Sequence, residues 1–135
     1  MKKTNNITGI KVPFFPANRE FTAIKSELLQ AFIEVGESGQ LILGPNVQKF
    51  EQEMTRITQI KHCISCANGT DALTLSLKAL GLGNKDEVIV PANSYPTIFG
   101  VGLSGVKPVL ADVDSETASL DSESLEKHIT PNTKA

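Results

Sequence analysis

The stretch His62-Cys63-Ile64-Ser65-Cys66-Ala67-Asn68-Gly69-Thr70-Asp71-Ala72-Leu73, running on to Leu80-Gly81, decides how the chain is read. It predicts a short buried strand, a tight Asn-Gly-Thr turn, and a helix whose first backbone N–H groups point at whatever lies above the turn. Neither Gly-x-Gly-x-x-Gly nor Gly-x-x-x-x-Gly-Lys is present there, so a dinucleotide loop and a nucleoside-triphosphate loop are both unsupported. Gly69 lets a ligand approach the backbone closely, and Thr70 offers a hydroxyl and an N–H at the positive end of the helix. One phosphate fits this turn. A plain helix start with Asn68 or Thr70 as N-cap fits it too.

Downstream, apolar residues cover most of the circumference of the helix from Asp71 to Leu80, which predicts burial on more than one side. Gly81 and Gly83 read as its C-cap and the following turn. Glu87-Val88-Ile89-Val90-Pro91 reads as a strand closed by proline. Ala92 to Thr97 leads into a short helix through Ile98, Phe99, Val101 and Leu103, and Val106 to Asp114 gives a third strand. A last helix starts after Asp121 as N-cap, with Leu120 packing on Leu125. His128 in its final turn reads as a partner of the helix dipole rather than a catalytic group.

Upstream, residues 1–18 read as an arm lying on a surface, with Pro13 and Pro16 flanking Phe14-Phe15. Phe21, Ile24, Leu28, Phe32 and Val35 recur at helical spacing from Arg19, and Gly36 is expected to close that helix. Gly39 to Gly44 is a bend, and Pro45 opens a helix carrying Val47, Phe50, Met54 and Ile57 on one stripe. Strands separated by helical stretches indicate right-handed crossovers and a largely parallel α/β sheet. Ligands in such sheets bind at the carboxyl ends of the strands, where Asn68-Gly69-Thr70, Asn93-Ser94-Tyr95 and Asp112-Val113-Asp114 stand. Tyr95 could face a ring held by the first turn or could be core.

The 135 residues fit one domain, and their 40% apolar and 21% charged content is that of a globular chain. A net charge of −2 with scattered basic residues gives no argument for nucleic acid or an anionic membrane. No apolar stretch approaches a membrane span and no secretory signal follows Met1-Lys2-Lys3, so a cytoplasmic protein is expected. Cys63 and Cys66 form a Cys-x-x-Cys with no second pair to complete a zinc site. They are read as two small buried side chains. Asp112 and Asp114 share a strand face but lack a third ligand, so they are read as a strand end and no metal site is assigned.

Ser38-Gly39 to Gly44-Pro45, Asn68 to Leu73, Gly81-Leu82-Gly83 with Asp86 to Pro91, and Pro108-Val109 to Asp112-Val113-Asp114 together resemble the DegT/DnrJ/EryC1/StrS family. That family consists of pyridoxal-phosphate enzymes, mostly aminotransferases of nucleotide-linked keto-sugars. The resemblance covers about residues 12–135. It implies the N-terminal part of a fold-type I large domain, a three-layer α/β/α architecture with a mostly parallel sheet, occupying residues 19–135 without the C-terminal small domain. By the same resemblance Gly69 and Thr70 hold the pyridoxal 5'-phosphate phosphate, and Tyr95 stacks on its ring. The Gly39–Gly44 bend lies near substrate and partner subunit in an implied homodimer that the Pro13–Pro16 arm helps to form.

The family's Schiff-base lysine and its pyridine-facing aspartate match no position in this chain. The 135 residues are therefore expected to be incomplete, to expose apolar surface, and not to transaminate alone, with no catalytic residue assigned. Termination is expected immediately before a strand. Pro96 and Ile98 also depart from the alanine and threonine usual after the aromatic. The implied reaction moves an amino group from an amino-acid donor to a nucleotide-linked keto-sugar, with a lean toward a 3-amino product. A family dehydratase, with histidine at the lysine position, and a non-catalytic module binding a phosphorylated ligand or a partner subunit are the alternatives.

Overall fold

The structure, a computed structural model, describes residue 13 and residues 16–135. The Phe14-Phe15 portion of the expected arm lies outside them. By its internal contacts the chain divides into two compact units, Met1–Cys63 and Ile64–Ala135.

The first unit contains α1 (Ala17–Ser38) and α2 (Pro45–Thr58). Helix α1 runs straight through Gly36 and ends at Gly39, which adopts φ 66° and donates its N–H to the Gly36 carbonyl. Gly36 was the expected stop, but nothing crowds it and a mid-helix glycine costs only about 1 kcal/mol. The left-handed conformation required of a C-cap falls to Gly39 instead. The Ser38 hydroxyl completes this end, donating to the Val35 carbonyl (2.7 Å) and accepting from the Gln40 N–H (3.1 Å). Pro45 opens α2 at its first turn, as expected. No residue of α1 or α2 is buried, and Phe32 on the apolar stripe of α1 is 78% exposed. The stripes that the sequence shows are thus only partly covered, with Val35, Val47 and Met54 half-buried and Phe21, Phe32, Phe50 and Ile57 exposed.

The second unit holds α3 (Gly69–Ala79), β1 (Glu87–Pro91), α4 (Tyr95–Ser104), β2 (Lys107–Ala111) and α5 (Ser122–His128). The expected strand over residues 62–66 does not form, and Ile64 is 87% exposed. A strand exists only through a paired neighbour, and no described residue offers one there. Cys66 is accordingly exposed and Cys63 half-buried, both as free thiols, which corrects the expectation of two buried side chains.

β1 and β2 pair in parallel from Glu87 opposite Lys107 to Pro91 opposite Ala111. Pro108 is accommodated because the N–H groups of this register that face β1 belong to the residues alternating with it, as Lys107 N–H to the Asp86 carbonyl shows. The other side of β1 is also paired: Glu87 N–H donates to Asn132 O, and Ile89 N–H to Ala135 O, both at 2.9 Å. The last residues therefore already begin a third paired segment, where the sequence suggested an end just before one.

The core consists of Leu77, Val88, Val90, Val101 and Val106, with Leu82 and Ile98 packed against it. Helix α3 ends in a Schellman arrangement: Gly81 (φ 73°) donates to the Lys78 carbonyl and Leu82 to the Leu77 carbonyl. This confirms Gly81 as a cap residue. No described helix is long and apolar enough to cross a membrane.

Glu87 joins three segments. Its carboxylate accepts from Lys107 Nζ of β2 at 2.8 Å and from the Thr130 hydroxyl at 2.6 Å. The Lys107 hydrogen bond, then that from Thr130, hold its pKa below the ordinary 4.5 against an opposing desolvation effect. A carboxylate with a depressed folded-state pKa stabilises the fold above its unfolded pKa, and that stability is lost as pH falls through the folded value. Glu87→Gln is therefore expected to lower the urea midpoint at pH 7, with the gap to the unsubstituted chain closing below about pH 4. A gap independent of pH would assign the loss to packing instead.

Candidate cofactor site

Asn68 enters α3 with extended backbone (φ −164°, ψ 173°), the conformation of an N-cap. Its side-chain oxygen accepts from the Asp71 N–H at 2.9 Å, and its amide nitrogen donates to the Asp71 carboxylate at 3.0 Å. The Asn68 carbonyl takes the Ala72 N–H at 3.0 Å. These bonds use the third and fourth donors of the helix and leave the N–H groups of Gly69 and Thr70 outside the intrahelical ladder. Asn68 thus caps the helix, as one reading of the turn expected, and the first two donors stay outside the ladder.

Gly69 has no neighbour within 4 Å of the position a Cβ would occupy, and its φ is not positive. Neither crowding nor backbone strain within the described residues requires a glycine there.

Tyr95 begins α4, just beyond the carboxyl end of β1. It is 69% exposed among the described residues. Its ring stacks on Phe99 with centroids 5.6 Å apart and planes inclined at 22°, within the preferred range for offset aromatic pairs. The turn leading to it is tied down twice: Ser94 Oγ and Thr97 Oγ1 lie 2.7 Å apart, and the Asn93 amide donates to the Ala118 carbonyl at 3.0 Å. Ala118 itself sits at φ 55°.

The third strand end is spent on structure. The Asp114 carboxylate accepts from the Thr117 N–H (2.8 Å), the Thr117 hydroxyl (2.9 Å) and the Glu116 N–H (3.1 Å). The Thr117 bonds, followed by that from Glu116, hold its pKa below the ordinary 3.8. Among the described residues no three acidic, cysteine or histidine side chains are grouped to hold a metal ion. His128 Nδ1 lies 2.6 Å from the Ser124 carbonyl within α5, whose N-cap is Asp121 as expected.

Two residues that the sequence did not single out shape this region. The Thr74 hydroxyl lies 3.0 Å from the Thr70 carbonyl and 2.8 Å from the Gly100 carbonyl of α4. A Cβ on Gly100 would come within 3.0 Å of the Thr70 carbonyl oxygen and 3.1 Å of Leu73 Cβ. No local sequence signal marks either residue, since the bond that joins them spans 26 residues.

Comparison with known proteins adds to this geometry. Residues 22–135 match the DegT/DnrJ/EryC1/StrS aminotransferase family. The chain is 43% identical over 125 residues to the UDP-2-acetamido-2-deoxy-3-oxo-D-glucuronate aminotransferase of Pseudomonas aeruginosa, covering 92% of this chain and 35% of that protein. The crystal structure of S. venezuelae DesV in complex with a ketimine intermediate superposes with a TM-score of 0.83 at 34% identity, over 92% of this chain and 34% of DesV. NtdA from Bacillus subtilis with bound cofactor PMP gives a TM-score of 0.82 at 37% identity, over 97% and 31%. The chain spans about a third of the length of the curated relatives it matches.

Proposed function

The chain belongs to the DegT/DnrJ/EryC1/StrS aminotransferase family, and from that premise we propose that it supplies the phosphate seat and ring-facing aromatic of a pyridoxal-phosphate-dependent sugar aminotransferase. The observation that carries this is the open start of α3, where uncrowded Gly69 and the adjoining Thr70 present donors that the helix does not use. When bound, the cofactor supplies an electron sink for moving an amino group between an amino-acid donor and a nucleotide-linked keto-sugar. Gly69 and Thr70 hold its phosphate through backbone N–H groups and the positive helix end. Exposed Tyr95 lies against its ring, where a flat cationic heterocycle gains from an aromatic face.

No lysine of these 135 residues is assigned the covalent role, so the activity is proposed for a polypeptide that also provides the remaining two-thirds of the relatives' length. The working form in this reading is a cytoplasmic homodimer. The residues ahead of α1 act as an arm, and those from α1 onward as part of the large, cofactor-binding domain.

The test is binding of pyridoxamine 5'-phosphate, whose amine cannot condense with a lysine. The chain is expected to bind it at least about tenfold more tightly than pyridoxamine, because a helix start with free donors recognises the phosphate. Tyr95→Ala is expected to weaken binding about three- to thirtyfold, the range of a lost cation–π face. Equal affinity for the two ligands would overturn the phosphate seat.

A further inference from the structure

We propose that Thr74 is a positioning residue that sets the phosphate seat of α3 at a fixed place relative to Tyr95 on α4, an inference that rests on the cofactor site proposed above. The seat and the ring-facing aromatic stand on different helices, and a rigid cofactor must reach both at once. Their separation therefore has to be set by something joining α3 to α4.

The Thr74 hydroxyl is that joint. It lies 3.0 Å from the Thr70 carbonyl, in the turn that forms the seat, and 2.8 Å from the Gly100 carbonyl in the middle of α4. Its single proton is shared between the two carbonyls. Tyr95 and Gly100 are five residues apart on α4, about 7.5 Å along the axis. The hydroxyl thus ties the seat's own carbonyl to the helix that carries the aromatic, one and a half turns away.

Contact at the same point is close enough to define a position. A Cβ on Gly100 would fall 3.0 Å from the Thr70 oxygen, so the absence of a side chain there lets the two backbones meet. Serine at 74 keeps this joint and valine removes it at nearly constant volume. Thr74 touches neither the phosphate nor the ring in this arrangement and acts through Thr70 and α4.

The experiment compares Thr74→Val and Thr74→Ser with the unsubstituted chain for two probes, inorganic phosphate and pyridoxamine 5'-phosphate. The chain has one tyrosine and no tryptophan, so the quenching of tyrosine emission at saturating pyridoxamine 5'-phosphate reports Tyr95 alone. Thr74→Val is expected to leave phosphate affinity unchanged, to weaken pyridoxamine 5'-phosphate by about three- to tenfold, the range of one hydrogen bond, and to reduce the quenching. Thr74→Ser is expected to restore all three.

A valine variant that binds and quenches like the unsubstituted chain would overturn the proposal, as would equal losses for both probes, which would mark a role in helix stability only. Should valine prevent folding, Gly100→Ala, which keeps the hydroxyl but presses α4 off the Thr70 carbonyl, is expected to show the same split. An alanine variant without that split would overturn the proposal. Failure of the cofactor reading looks different, because the unsubstituted chain would then bind neither probe, and the positioning role would fall with it.

Discussion

Gly100→Val is expected to destabilise the unit Ile64–Ala135 by about 1–3 kcal/mol, the cost of overpacking a close contact. The added Cβ meets the backbone oxygen of Thr70 at 3.0 Å and Leu73 Cβ at 3.1 Å. A backbone carbonyl in the first turn of a capped helix cannot swing aside like the end of a flexible side chain. The helices must therefore move apart, stretching the Thr74 bond to the Gly100 carbonyl and loosening Val101, which is 1% exposed in the core. For a unit of this size each kcal/mol corresponds to about 4–8 °C in Tm. A thermal scan showing no change would mean that α3 and α4 do not meet at Gly100. As a control, Gly102→Ala on the same helix, where nothing lies within 4 Å, is expected to be neutral or slightly stabilising.

Leu77→Ala is expected to cost more, about 2–5 kcal/mol, as truncation of a buried leucine does. Leu77 is the one buried residue of α3 and packs in the cluster with Val88, Val90, Val101 and Val106. Its carbonyl also receives the Leu82 N–H of the helix cap, and Leu82 lies against the same cluster. Leu80→Ala, three residues on and 70% exposed, is expected to change stability by less than about 0.5 kcal/mol. Urea unfolding of the two variants separates the cases, and equal losses would place the core elsewhere.

What the sequence made legible follows from how local each signal is. The start of α2 at Pro45, the strand Glu87–Pro91, the caps Asn68, Gly81 and Asp121, and the parallel α/β arrangement were all readable. Each depends on neighbouring residues or on a short hydrophobic pattern. The strand expected over residues 62–66 failed because strand character belongs to a pair, and its apolar residues alone do not supply a partner. The stop of α1 was misplaced from Gly39 to Gly36 because two nearby glycines both satisfy a composition rule, and only the backbone dihedral separates them.

The candidate site divides in the same way. Gly69 and Thr70 were visible as a turn opening a helix, whereas the exposure of Tyr95 was not, since a lone aromatic after a strand suits core and surface alike. Family resemblance favoured the ligand-facing reading, and Tyr95 is 69% exposed. Thr74 and Gly100 lay beyond reach because their bond spans 26 residues between two helices, and neither residue type is unusual where it stands.

The pairing of β1 on both sides closes two loops of different length on one residue. Lys107 reaches Glu87 across a separation of 20 residues and Thr130 across 43. Each doubling of a closed loop costs about 0.6 kcal/mol in chain entropy, so the nearer partner is cheaper to bring in. The segment between β1 and β2 is also the one that carries α4 and its core valine. The unit β1–α4–β2 is therefore the more local of the two closures. Glu87 works as a latch that fastens β1 to the nearer segment through Lys107 and to the farther one through Thr130.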